Sequence, residues 1–299
     1  MRKCFTALFA LLGLILIPPQ AGAAMVRACG AGTVLRLSSA ESSQGSLLLL
    51  EVRGARPLAE VQGEWDGRSV PFWEEAGRAT VRRGLVGVDL EKPEGRYELK
   101  VAGQTASGGK IGCSVMVAVR KGRYATERLQ VEKQFVEPDP EQLVRAKEER
   151  ERLRKIFDTV TDERMWEGTF LVPLDGAARG GNFGKRRILN GQAGSPHSGV
   201  DFPAAAGTPV HSAQRGRVAL AEELFFSGNT VVVDHGLGIY TFYGHLSEID
   251  VKAGDTLAAG EVLGKVGATG RVTGPHLHWG LTVERARVNP LQIVKLLGN

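Results

Sequence analysis

His276 and His278 are separated by one leucine within Gly274-Pro275-His276-Leu277-His278-Trp279-Gly280. Side chains alternate faces along an extended strand, so both imidazoles point to one side while Leu277 turns towards a core. Two imidazoles side by side on a strand can bind a metal or move protons. Two upstream stretches supply what such a pair lacks. His197-Ser198-Gly199-Val200-Asp201 places a histidine and a carboxylate four residues apart, and Gly199 with Pro203 argues for a loop entering a strand rather than a helix. The run from Ile239 to Ser247 is aromatic and β-branched, and Gly244 puts His245 near the end of a predicted strand, beside a turn.

A histidine and a carboxylate close together, with His278 from a distant strand, would make a two-His, one-carboxylate site. Three protein ligands leave a fourth tetrahedral position for water, the arrangement of catalytic rather than structural zinc. His245 and His276 are then imidazoles to spare. A neutral one can take a proton as zinc-activated water attacks, and a protonated one can stabilise the resulting oxyanion. The set is consistent with amide hydrolysis. A non-haem iron oxygenase also uses two histidines and a carboxylate, but it leaves three adjacent positions open and has no use for two more imidazoles. His211 has no partner at ligand spacing, and His235, in Val233-Asp234-His235-Gly236, reads as turn chemistry.

His197-Ser-Gly-Val-Asp201, Tyr243-Gly-His245-Leu-Ser247 and Gly274-Pro-His276-Leu-His278, in that order, resemble the three motifs of the LytM/lysostaphin-type zinc metallopeptidases. The resemblance runs from about Phe183 to Pro290. It implies His197, Asp201 and His278 as ligands of one Zn2+ and His245 and His276 as catalytic histidines. It also implies a β-rich duplicated hybrid motif and cleavage of peptide cross-links or stem peptides in bacterial peptidoglycan. The alternative is a non-catalytic wall-binding or amidase-activating protein of the same fold, which the intact set of five residues argues against. Lys265 near glycine-rich turns such as Gly254-Asp255 suggests a lipoyl carrier, which would not need the histidines.

Elements that must position these residues follow from the rest of the chain. At 299 residues, 42% of them hydrophobic, it has enough sequence for two domains around real cores, and 39 glycines favour turns and short strands. Residues 1–23 read as a secretory signal. Arg2-Lys3 precedes an apolar run from Phe5 to Ile17, broken by Pro18-Pro19, with Ala21-Gly22-Ala23 at the cleavage positions. That run is too short to span a bilayer as a helix. Export to the periplasm or cell envelope is expected. Loss of Arg2 and Lys3 takes the formal charge from +5 to about +3, without the dense basic, aromatic-interleaved patch of a nucleic-acid binder. Removing Cys4 leaves Cys29 and Cys113, which can form one disulfide in an oxidising compartment; two buried thiols are the alternative.

Residues 24–131 read as short strands and turns, suggesting an immunoglobulin-like β-sandwich that positions the enzyme or restricts its cleft. Residues 132–170 read as a helical connector, with Asp139 as N-cap, Pro140 at the first position and Gln142 completing a capping box. Leu143, Ala146, Leu153, Ile156 and Phe157 share a face, and Glu148 to Arg154 reads as a solvated charged one. Residues 171–299 form the metallopeptidase-like domain. The overall expectation is mostly β. A regulatory partner and the oligomeric state are open at this level.

Overall fold

The computed structural model describes residues 24–176 and 180–298, and the expected signal over residues 1–23 lies outside them. The mostly β expectation holds throughout. The N-terminal sheet departs from the expected sandwich. It has nine strands in the spatial order Met25–Gly30, Thr33–Leu37, Leu47–Gly54, Arg78–Gly87, Arg68–Glu75, Leu58–Trp65, Gly95–Thr105, Lys110–Arg120 and Glu41–Ser43. Two separate sheets do not form, because one strand serves both layers. Arg68 to Pro71 pair with Leu58–Trp65, whereas Phe72 to Glu75 pair with Arg78–Gly87. Pro71, with no N–H to give to a ladder, sits at the switch. The sheet therefore curls into a half-barrel, and the Cys29–Cys113 disulfide clasps its first strand to Lys110–Arg120.

The apolar run Leu47-Leu48-Leu49-Leu50 is explained by burial on two sides. Leu48 and Leu50 fill the half-barrel with Leu35, Leu99 and Val117. Leu47, with Trp73, Leu85 and Leu90, belongs instead to the core of the C-terminal domain, beside Phe170, Ile239 and Val283. The two domains thus share one apolar core. Its rim is polar: the Arg287 guanidinium reaches Asp89 at 2.7 Å and Glu91 at 2.9 Å, and the Leu47 N–H donates to Gln292 Oε1 at 2.6 Å.

The connector helix is Pro140–Asp158, with the predicted capping box formed in both directions between Asp139 and Gln142. Leu153, Ile156 and Phe157 pack on Leu220, Leu224, Val232 and Tyr240. Leu143, expected on that face, is exposed. The charged stretch is not wholly solvated either. Glu149 is buried, accepting from Arg145 at 2.7 Å and from the Phe225 N–H at 2.8 Å.

In the C-terminal domain the main sheet runs Gly199–Pro203, His276–Val283, Ile239–Ile249, Gly228–Asp234, Gly216–Leu224, Thr256–Leu257. Val262–Val266 pairs with both Pro209–His211 and the far end of Ile239–Ile249. A third, small sheet joins the domains: Thr126–Leu129, just before the connector, lies parallel to Arg186–Leu189, which forms a hairpin with Gln192–Pro196.

The disulfide closes a loop of 84 residues, worth about 4–5 kcal/mol in the chain-entropy model and often less in practice. Replacing Cys29 and Cys113 together by serine is expected to lower the unfolding midpoint in denaturant, with added reductant then having no further effect. A midpoint equal to that of the unreduced protein would show that the clasp contributes nothing.

Candidate metal centre and cleft

Strand register builds the site. Across the antiparallel pair Gly199–Pro203 and His276–Val283, Asp201 lies opposite His278 and Pro203 opposite His276. On the other side of that strand, Gly244 lies opposite His278. Leu277 is fully buried below, as strand alternation predicts. Gly199 is required here, since a Cβ at that position would come within 2.7 Å of the His278 ring and 2.5 Å of the Trp279 carbonyl oxygen.

His245 is not at a strand end. It sits inside Ile239–Ile249 with φ +65°, where the strand leaves one set of partners and takes Val262–Val266 as another. The left-handed residue makes a bulge that turns the ring towards the cleft, a conformation histidine visits more readily than branched residues do. Its ring centroid lies 4.9 Å from that of His276 and 5.9 Å from that of His278.

His197, Asp201 and His278 converge most tightly. His197 Nε2 lies 2.8 Å from His278 Nδ1, and Asp201 Oδ1 is 3.0 Å from each of these nitrogens. His197 Nδ1 donates to the Asn182 carbonyl at 3.0 Å, which leaves Nε2 as a lone pair aimed at the other two atoms. A single proton can bridge one edge of this triangle of acceptors but not all three. A cation at their common focus satisfies every edge, and a two-nitrogen, one-oxygen set about 3 Å apart suits zinc with ~2.0–2.1 Å bonds. The residues present therefore fit the ion.

Burial opposes charge on Asp201, yet the hydrogen bonds to His197 and His278 hold its carboxyl well below the usual range, so it stays ionised. Burial pushes His278 down to about 4 against the pull of Asp201. Burial, then the neighbouring His278 and His276, push His245 down to about 3, keeping it neutral near pH 7. The His245 Nδ1–H donates to the Thr269 carbonyl at 2.9 Å and that of His276 to Gly274 at 2.8 Å. Each ring is thus left with its Nε2 edge for other partners.

Both remaining histidines are structural. His211 is held through Nδ1 by the Gly260 carbonyl at 2.9 Å. His235 is fully buried between the Arg215 carbonyl, at 2.9 Å, and Thr241 Oγ1, at 2.7 Å. Tyr240 and Trp279 are core residues.

Four neighbours were not foreseen. Asn182 and Thr269 orient His197 and His245 through main-chain carbonyls, which carry no side-chain signature. Arg187, on Arg186–Leu189, donates from Nη2 to Asp201 Oδ2 at 2.8 Å. Arg271, like Arg187, borders both cavities of the cleft. In the sequence neither arginine is distinguishable from an ordinary surface cation.

A β-sheet cleft with this donor set and two spare imidazoles defines a metallopeptidase-type site. Residues 195–290 match peptidase family M23. A solved M23 peptidase structure from Pseudomonas aeruginosa is 30% identical, covering 84% of this chain and 94% of that one, with a TM-score of 0.63. The chain belongs to this family of zinc metallopeptidases. It is 31% identical over 210 residues to peptidoglycan DD-endopeptidase ShyA of Vibrio cholerae, covering 69% of this chain and 44% of that protein. It is 39% identical over 97 residues to the DD-carboxypeptidase/endopeptidase Mpg of Neisseria meningitidis, covering 32% of this chain and 22% of that protein. The chain therefore spans less than half the length of these curated relatives.

Because Arg187 fixes the second oxygen of Asp201, Arg187→Ala is expected to weaken zinc affinity roughly 10–100-fold, as losing an outer partner of a ligand does. Competition with a fluorescent chelator measures this directly. Unchanged affinity would mean that Asp201 is oriented by the strand register alone.

Proposed function

We propose that this protein is an exported zinc endopeptidase that hydrolyses peptide cross-links or stem peptides of peptidoglycan. The convergence of His197, Asp201 and His278 on one point, with His245 and His276 beside it, carries this reading. The activities of the ShyA and Mpg relatives support the substrate class, and a substrate in the wall agrees with the signal expected over residues 1–23.

In this reading His197, Asp201 and His278 hold the metal. Zinc bound there supplies Lewis acidity and makes water a nucleophile near neutral pH. His245, neutral and anchored through Nδ1 by Thr269, presents Nε2 to take a proton from the attacking water. His276, anchored by Gly274, offers its Nε2 edge, in the doubly protonated form, as a donor to the oxyanion that develops on the scissile carbonyl. It lies 3.7 Å from Asp201 Oδ1, close enough to share the same reacting group. The small sheet of Thr126–Leu129 and Arg186–Leu189 forms part of the cleft wall and limits what enters.

Purified peptidoglycan and metal analysis separate these roles. His278→Ala is expected to lose zinc and all release of new peptide termini. His245→Ala is expected to keep stoichiometric zinc while turnover drops by about 10²–10⁴, the usual contribution of a positioned base. Wild type that holds zinc and releases no termini would instead favour the binding or activator reading. Retention of zinc by His278→Ala would remove that residue from the ligand set.

A further inference from the structure

The cleft is divided. One cavity of about 300 Å³ is bordered by His197, His245 and His278. A second of about 260 Å³ is bordered by Asp201 and His276. Arg187, Leu189 and Arg271 border both. The two arginines differ in how their charge is met. Arg187 is committed to Asp201 at 2.8 Å, with Glu127 4.0 Å away. Arg271 has no carboxylate at ion-pair distance among the described residues, and residues 1–23, 177–179 and 299 include no Asp or Glu. Its guanidinium lies over the Phe226 ring, 4.6 Å from the centroid. That contact holds the cation against the ring, and a guanidinium presents its N–H donors in a rigid planar fork.

The partly covered guanidiniums of Arg287 and Arg83 are met by acid, the first by Asp89 and Glu91 and the second by Glu51 and Glu75. Arg271 instead suffers burial and the repulsion of Arg187, which together lower its affinity for its own proton. An uncompensated cation in a cleft is costly until an anion reaches it. Such a planar fork suits a carboxylate in two-point contact.

We propose that Arg271 is a specificity-determining residue that binds a free carboxylate of the peptide substrate next to the scissile amide. This rests on the peptidase reading above and narrows its substrate class. The residue donating the scissile nitrogen keeps an ionised carboxylate, as in a cross-link between two D-centres, whereas a neutral glycine bridge has none. Arg187 adds positive potential but stays with Asp201.

Two synthetic cross-linked peptides test this, identical except that the carboxylate beside the scissile bond is free in one and a primary amide in the other. For zinc-loaded wild type, kcat/KM is expected to favour the free carboxylate at least tenfold. Arg271→Gln is expected to erase that preference by losing at least tenfold more rate on the carboxylate peptide than on the amide, with stoichiometric zinc showing an intact fold and metal site. Arg271→Lys is expected to restore part of the preference. Equal rates on both peptides in wild type, or an equal loss on both in Arg271→Gln, would overturn the proposal. Should zinc-loaded wild type cut neither peptide, the peptidase reading fails, and calorimetric binding of the same pair decides the subsite. Tighter binding of the carboxylate form, lost in Arg271→Gln, sustains it; no difference overturns it.

Discussion

The register between Gly199–Pro203 and His276–Val283 is the constraint on which the site depends. A shift of His276–Val283 by one residue would send His276 and His278 to the buried face, away from Asp201, and bring Leu277 out. The pattern resists that slip because the opposite face is committed: Phe202, Leu277 and Trp279 lie in the core that also holds Tyr243 and Leu281. The energy that sets the geometry is thus apolar burial beneath the sheet, at about 25 cal/mol per Å². The polar atoms above are carried into place at a net electrostatic cost. Three acceptors within about 3 Å of one another repel until a cation arrives, which couples metal binding to the stability of the fold.

The same logic explains His245. Placing a third strand's histidine over the first two requires Ile239–Ile249 to break its ladder, because a regular strand continuing past Gly244 would keep its side chains on the sheet normal. The strand absorbs the change with one left-handed residue, repaired by His245 N–H donating to Ser227 O at 2.8 Å and by new pairing from Leu246 onwards. Backbone in that region costs a non-glycine residue on the order of 1–3 kcal/mol, held here by fully buried neighbours Tyr243 and Leu246.

Sequence was informative wherever chemistry rests on side-chain type and short spacing. The alternation of His276, Leu277 and His278 and the capping box at Asp139 and Gln142 are local patterns, and both appear as read. The expected Cys29–Cys113 pairing rested on compartment and number, and it forms. What failed was long-range. Nothing local says that Arg68–Glu75 changes partner at Pro71, so a half-barrel was taken for a sandwich. The bulge at His245 depends on which strands flank it. Glu149 was read as solvent-facing because its acceptor role is fixed by Phe225, remote in sequence. Arg187 and Arg271 were invisible for the same reason, since a cation declares its function only through what does or does not lie opposite it.

The segment matching peptidase family M23 begins at residue 195, and that boundary separates the two arginines. Arg271 lies inside it, between His245 and His276 in sequence. Arg187 lies outside, on a strand whose parallel partner, Thr126–Leu129, comes from before the connector helix. The orientation of Asp201 is thus supported by a pairing whose other strand lies between the N-terminal sheet and the connector helix. Lys185 and Glu127 lock that pairing at 2.9 Å, and the shared core through Leu47, Trp73 and Leu85 keeps the domains from parting as independent bodies would. The N-terminal region is therefore part of the physical cause of the site's geometry: Thr126–Leu129 pairs with the strand from which Arg187 reaches Asp201.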